Sequence, residues 1–268
     1  MMPTGRASAQ ARDGSFEISG VPPGSYVLTA RAATGPQAGP VGGLQTRMAL
    51  RTIEVKDASI DGVRLEIASG RALKGSLKVE GGGTFSSGLL SFNSPEGGSA
   101  RATSLANDGS LTIRNVFPTV YSMELPSLTG SPYGNCYVKS VRYGGREFPQ
   151  WAIDLSGEGQ LDIVLSAKAA TLEGLAVDPQ GKPAANAAIV IASATAGEPL
   201  RTGTADASGQ FYFAGLHPGD YRVFAWDAAA PEASDAPASL APFEASSKPV
   251  TLAESAREKI QVTAIAPK

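Results

Sequence analysis

A fourteen-residue pattern occurs three times in this chain, and its spacing leaves few folds open. DGSFEISGVPPGSY (Asp13 to Tyr26) aligns without a gap with DGSLTIRNVFPTVY (Asp108 to Tyr121) and SGQFYFAGLHPGDY (Ser208 to Tyr221). In each copy a glycine (Gly14, Gly109, Gly209) stands twelve residues ahead of the tyrosine, and a proline (Pro23, Pro118, Pro218) stands three ahead. The matched apolar positions are Phe16, Leu111 and Phe211, then Ile18, Ile113 and Phe213, then Val21, Val116 and Leu216. The tyrosines lie 95 and then 100 residues apart, which is the size of one β-sandwich domain repeated along the chain.

Each position has a physical reading. Asp-Gly or Ser-Gly makes a tight turn, because glycine accepts a positive φ without steric cost. The next three residues alternate inward and outward, the period of a half-buried strand. The Pro-Gly of the first and third copies makes a type I or II turn. The tyrosine then re-enters a strand with its ring in the core and its hydroxyl in reach of backbone, as in the tyrosine corner of Greek-key sandwiches. Flanking strands repeat too. Leu73 to Val79 corresponds to Leu172 to Val177, with Gly75 and Gly174 at equivalent places. Closing strands alternate at Val63, Leu65 and Ile67, at Leu161, Ile163 and Leu165, and over Ile260 to Ile265. The expected organisation is an all-β chain of tandem Greek-key sandwiches: 1–70 partial, 71–168 a second unit and 169–268 a third. Helix is expected only as short turns near Ala238 to Phe243 and Glu254 to Glu258.

Composition narrows the function. The 31 Gly and 19 Pro fit many short strands and turns, and 42% hydrophobic residues are too many for a disordered chain. The 23 basic and 25 acidic residues are scattered, with no basic stripe for nucleic acid and no polybasic segment for a membrane surface. No stretch reaches the roughly 20 apolar residues of a membrane helix, and MMPTGRASAQARDG lacks the pattern of a signal peptide. Cys136 is the sole cysteine, which makes an intramolecular disulfide impossible and reads as an inert, partly buried thiol.

The third unit carries GLAVDPQGKPAANAAI (Gly174 to Ile189), then Asp206 to Phe213 as D-x-x-G-x-F-x-F, then Leu216 to Tyr221 as L-x-P-G-x-Y. This resembles the carboxypeptidase regulatory-like domain, a prealbumin-like (transthyretin-like) sandwich of about seven strands. The second unit matches the pattern after Leu73 but has Gly81-Gly82-Gly83 where the third has Gly181-Lys182-Pro183. The resemblance implies a noncatalytic module of an exported bacterial protein, in the extracellular space or cell envelope, that spaces, adheres or interacts with another surface protein. It equally implies accessory modules of a larger enzyme or outer-membrane transporter. The superfamily also neighbours carbohydrate-binding modules, a likeness of fold alone. No cofactor and no metal is implied, and the expected state is a monomer without membrane insertion.

The first unit departs from the pattern. It has the Asp-Gly turn and the segments after that turn, through RTIEVKDASIDGVRLEI, but only twelve residues precede Asp13. A sandwich lacking its opening strands leaves a sheet edge unpaired and core positions uncovered, so the first unit is expected to be the remainder of a sandwich begun further upstream. It should hold fewer strands than the other two.

Residues with chemistry are few. His217 is the only histidine and fills the slot of Pro22 and Phe117 in the other copies, so a turn role outweighs catalysis. Asp13, Asp108, Asp178 and Asp206 fall in turns, where an Asx side chain bonds its own backbone; no D-x-D-x-D-G calcium loop is present. Gly181-Lys182 precedes Pro183 and reads as a hairpin turn, not a phosphate loop. Lys78 and Glu124 lack the pattern that an internal isopeptide bond would need. Aromatic side chains remain as ligand-stacking candidates, by which a polysaccharide would be bound: Trp151, Trp226, Tyr133, Tyr137 and Tyr143. The competing reading gives the same rings to packing at sandwich ends and between units. Trp226 lies five residues beyond Tyr221, so it faces away from the tyrosine in a regular strand.

Overall fold

The computed structural model describes residues 8–11, 13–32, 47–81, 90–96, 98–106, 108–125, 136–227 and 237–266. Among them every regular element is a strand except a 3₁₀ stretch, Pro237–Ser246. The first unit contains β1 (Gly24–Ala32), β2 (Arg47–Val55) and β3 (Ala68–Ser69). The second contains β4 (Arg71–Glu80), β5 (Ser91–Ser94), β6 (Gly98–Leu105), β7 (Ser110–Val116), β8 (Val120–Glu124), β9 (Tyr137–Tyr143), β10 (Arg146–Phe148), β11 (Ile153–Asp154) and β12 (Leu161–Ser166). The third contains β13 (Ala170–Val177), β14 (Ala188–Ser193), β15 (Arg201–Thr204), β16 (Gln210–Leu216), β17 (Gly219–Trp226), β18 (Lys248–Leu252) and β19 (Arg257–Ile265).

The two larger units are built alike around their opening strands. β4 pairs antiparallel with β7 and parallel with β12, with Gly75 opposite both Leu111 and Leu161. β13 pairs antiparallel with β16 and parallel with β19, with Gly174 opposite both Phe211 and Ile260. The two glycines are there because a side chain has no room. A Cβ at Gly75 would lie 2.2 Å from the Leu161 carbonyl oxygen, and one at Gly174 would lie 2.0 Å from the Phe211 ring. Alternate residues of these strands fill two separate cores. One holds Leu77, Ile113, Tyr121, Leu161 and Ile163, the other Leu172, Ile189, Phe211, Tyr221 and Val262. Burying each such side chain contributes about 1.5–3 kcal/mol.

The repeated tyrosine occupies the same place in all three units. On one side its cross-strand partner is Ile53, Ile153 or Val250, β-branched each time, and Tyr221 faces Ser193 on the other. Its hydroxyl meets the backbone four residues earlier: Tyr26 donates to the Pro22 carbonyl at 2.9 Å and Tyr221 to the His217 carbonyl at 2.8 Å, whereas Tyr121 accepts from the Phe117 N–H at 3.0 Å.

In the first unit two expected strands do not form ladders. Residues 16–20 and 58–67 carry no strand pairing, and Phe16 is 37% exposed. The other units supply the reason, since the equivalents of these segments pair with the opening strand from its two sides. Among the described residues no strand fills that place in the first unit. Burial still alternates at Val63, Leu65 and Ile67. Arg47 and Arg51 of β2 donate side-chain hydrogen bonds to the Ile67 and Arg64 carbonyls, at 2.9 and 3.2 Å. Gly109 and Gly209, at φ +83° and +77°, sit against the carbonyls of Leu77 and Ala176, while Gly14, at φ +78°, has open space where a Cβ would be. The turn therefore forms in all three units, and the strand it should abut is present in two.

The remaining elements follow local rules. The 3₁₀ stretch is longer than the short turn expected at 238–243. Within the stretch 254–258, residues 254–255 make a turn with Ser255 at φ +58° before Arg257 joins the ladder opposite Thr171. That pairing takes the segment out of helix. The triple-glycine comparison at Gly82 and Gly83 lies outside the described residues.

Candidate functional site

The side chains with chemistry in their sequence are spent on structure at most positions. The Asp178 carboxylate accepts the N–H groups of Gln180 and Lys182, at 2.9 and 2.8 Å, and Val177 bridges to Pro183, so Gly181-Lys182 is the middle of a closed turn. Asp206 accepts from the Ser208 and Gln210 N–H groups and the Ser208 hydroxyl, at 2.8, 2.9 and 2.8 Å. Asp108 accepts from the Ser110 N–H at 2.8 Å. The bonds of Ser208 and Gln210 to Asp206 and of Ser110 to Asp108 favour the ionised carboxyl and hold both groups below the ordinary 3.8. Asp13 stands at φ +50° in its turn. Among the described residues no group of three His, Cys, Asp or Glu side chains could hold a metal ion. Cys136 is buried, and burial pushes its thiol up.

The aromatic candidates do not come together on one surface. Trp226 is 4% exposed, stacked on Phe224 at 5.8 Å and edge-on to Phe243 at 5.6 Å. It belongs to a small cluster with Val190 and Leu240 on the outer side of the β14–β17 sheet, opposite the core that holds Tyr221. The 3₁₀ stretch covers it, so the indole packs and offers no face to a ligand. Tyr143 is also 4% exposed; it donates to the Gly157 carbonyl at 2.6 Å and accepts from Arg71 at 2.8 Å. The same arginine binds the Leu155 and Gly157 carbonyls, which ties residues 155–157 to β4. Tyr137 is buried and reaches the Glu254 carboxylate at 3.3 Å. Trp151 is half-buried, and a Cβ at Gly197 would lie 3.6 Å from its Nε1. Tyr133 lies outside the described residues. A groove of 460 Å³ runs between the 3₁₀ stretch and β17–β18, rimmed by the Arg222–Glu244 ion pair at 3.1 Å.

One cluster was not legible in the sequence. Glu198, in the loop between β14 and β15, is 9% exposed and lies 2.8 Å from Nε2 of His217. Nδ1 of the same ring is 2.8 Å from the Pro218 carbonyl. With an acceptor at each nitrogen, the ring satisfies both only as the doubly protonated imidazolium. The Glu198 hydrogen bond raises His217 above its ordinary 6.5, against the opposing effect of burial. Burial works against the Glu198 charge as well, but hydrogen bonds from His217 and Ser193 and the charges of His217 and Arg201 hold its carboxyl below 4.5. Arg201 donates to the Ala214 and Gly215 carbonyls at 2.8 and 3.3 Å. The sequence marks His217 only as a turn residue, and Glu198 sits nineteen positions away in no repeated pattern.

Comparison with known proteins adds to this geometry. Solved structures with partial similarity include the Bacillus anthracis TIE protein, at 15% identity and TM-score 0.27, covering 89% of this chain. The Streptococcal ancillary pilin aligns at 12% identity and TM-score 0.27, over 91% of this chain and 77% of its own. The shaft pilin SpaA of Lactobacillus rhamnosus GG aligns at 11% identity and TM-score 0.28, over 74% of this chain and 98% of its own. The chain spans 41% of the length of the TIE protein. No curated protein is significantly similar in sequence. Residues 171–263 match the family model of the carboxypeptidase regulatory-like domain, so the resemblance carried by Gly174 to Ile189, Asp206 to Phe213 and Leu216 to Tyr221 extends through the third unit, from β13 into β19.

Proposed function

We propose that this chain is a noncatalytic run of β-sandwich units, a partial one at 1–70 and two further ones at 71–168 and 169–268, of an exported bacterial protein, where it serves spacing, adhesion or interaction with another surface protein at the cell envelope. The observation that carries the noncatalytic reading is the fate of the repeated positions. In the second and third units the glycine, the turn aspartates Asp108 and Asp206, the apolar pair and the tyrosine are all committed to turns, cores and the tyrosine corner. The two separate cores support the division into units. The junction at 167–169, three residues between β12 and β13, supports a spacing role because so short a connection keeps the two units close at a fixed separation. The envelope setting rests on the family resemblance.

The test is fractionation of cells that express the protein from its own locus, probed with antibody to the third unit. Signal at the surface or in the medium is expected, and a strictly cytosolic signal would overturn the assignment. Retention on insoluble polysaccharides, abolished by Trp151→Ala, would turn the reading toward carbohydrate recognition.

A further inference from the structure

The second and third units touch where the third presents two glycines. Trp151 of the second unit sits against Gly197, and the Cys136 carbonyl lies where a Cβ at Gly215 would come within 3.3 Å. Lys168 in the connection pairs with Glu254 at 3.0 Å, and its carbonyl accepts the Ser255 N–H at 2.9 Å. Gly197 directly precedes Glu198, and Gly215 stands two residues before His217. The ion pair between these neighbours therefore joins the loop after β14 to the end of β16, the two segments that meet the second unit at these glycines. Arg201, at the start of β15 just after that loop, donates to the Ala214 and Gly215 carbonyls near the end of β16.

We propose that His217 and Glu198 form a protonation-controlled clamp that holds loop 194–200 and the end of β16 together as one face for Trp151 and the Cys136 carbonyl, so that proton uptake by His217 stiffens the connection between the second and third units. The groups around the ring account for the direction. Glu198 faces Nε2 from its loop, and the Pro218 carbonyl faces Nδ1. Tyr221 of β17 packs its ring 5.4 Å away and donates to the His217 carbonyl, and burial keeps that phenol neutral by raising it. Arg201 of β15 opposes protonation by its charge, while it also steadies Glu198. Asp220 is turned to the Thr251 hydroxyl at 2.6 Å. The second unit presents an indole and a peptide carbonyl, neither of which titrates. Loss of the proton removes the ring's positive charge and one of its two donors, so that a lone pair faces either the carboxylate or the Pro218 carbonyl and the Glu198 contact is weakened in both tautomers. The clamp is tight between the lowered value of Glu198 and pH 6.5, and loosens as pH rises through the elevated value of His217.

The experiment uses the full chain labelled with 5-fluorotryptophan. Its two tryptophans give two ¹⁹F resonances, assigned with Trp151→Phe, and its lone histidine gives one imidazole signal. Across pH 5 to 10, His217 is expected to titrate with a midpoint above 6.5 and the Trp151 resonance to move with that midpoint, while that of Trp226, on the opposite face of the sheet, stays flat. ¹⁵N relaxation should show the second and third units tumbling as one body below the transition and with distinct correlation times above it. Glu198→Gln should lower the histidine midpoint and carry the Trp151 transition down with it. A Trp151 resonance that ignores a titrating His217 would overturn the proposal, as would a midpoint at or below 6.5 or tumbling that does not change with pH. The wild-type co-titration decides the matter even where Glu198→Gln impairs folding.

Discussion

The repeated tyrosine hydroxyl plays opposite roles in neighbouring units, and its removal separates them. Tyr221→Phe leaves a carbonyl short of one donor and is expected to cost about 1 kcal/mol. Tyr121→Phe strands a buried N–H without an acceptor and should cost more, about 1–3 kcal/mol. In the first unit the same bond is exposed, so Tyr26→Phe should change stability by no more than about 0.5 kcal/mol. Chemical denaturation of the three variants measures the ranking. The turn aspartates add a pH dependence at the acid end. Asp108 and Asp206 are held below 3.8 in the folded chain, so their contribution is present above that value and lost as pH falls through the lowered one. Unfolding midpoints followed from pH 5 to pH 2 should fall with pH, and Asp206→Asn should flatten the part of the slope that belongs to its turn. These roles were readable before the fold was known, because a tight turn and its carbonyl or N–H partners are local. The His217–Glu198 pair was not, because nothing in the eighteen intervening residues records that the two ends meet.

At the scale of elements, the opening strand is the member on which two others depend. β4 and β13 each lie between an antiparallel neighbour and a parallel one. The equivalents in the first unit, 16–20 and 63–67, keep the apolar alternation of strands without pairing. Alternation is a property of the sequence, while a ladder needs a second strand to accept its hydrogen bonds. Fusing a copy of Ala170 to Pro183 ahead of Asp13 should therefore slow amide exchange at 15–18 and 63–67 and lower the exposure of Phe16. Unchanged exchange would show that these segments do not form the two sides of a strand site. Gly174→Ala brings a methyl into the Phe211 ring, and the overpacking is expected to cost about 1–3 kcal/mol, read from the unfolding midpoint.

For the whole molecule, the two cores share no side chain. Ile163→Ala should destabilise the second unit by about 2–5 kcal/mol and Ile189→Ala the third by a similar amount. Amide exchange should rise across the unit that carries the change and stay close to the parent in the other. Spreading of either effect through both units would mean that they unfold as one. The sequence by itself determined the repeat, the all-β architecture, the turns, the tyrosine corner and the inward residues, since each rests on spacing within a few positions or on comparison between copies. It also set Trp226 on the opposite side from Tyr221 through strand parity. Only the tertiary structure decided that Trp226 and Tyr143 are consumed by packing and that Trp151 meets Gly197. It likewise paired a lone histidine with a buried carboxylate beside a junction between units. Those outcomes depend on which surfaces of distant segments come into contact, and no local periodicity encodes that.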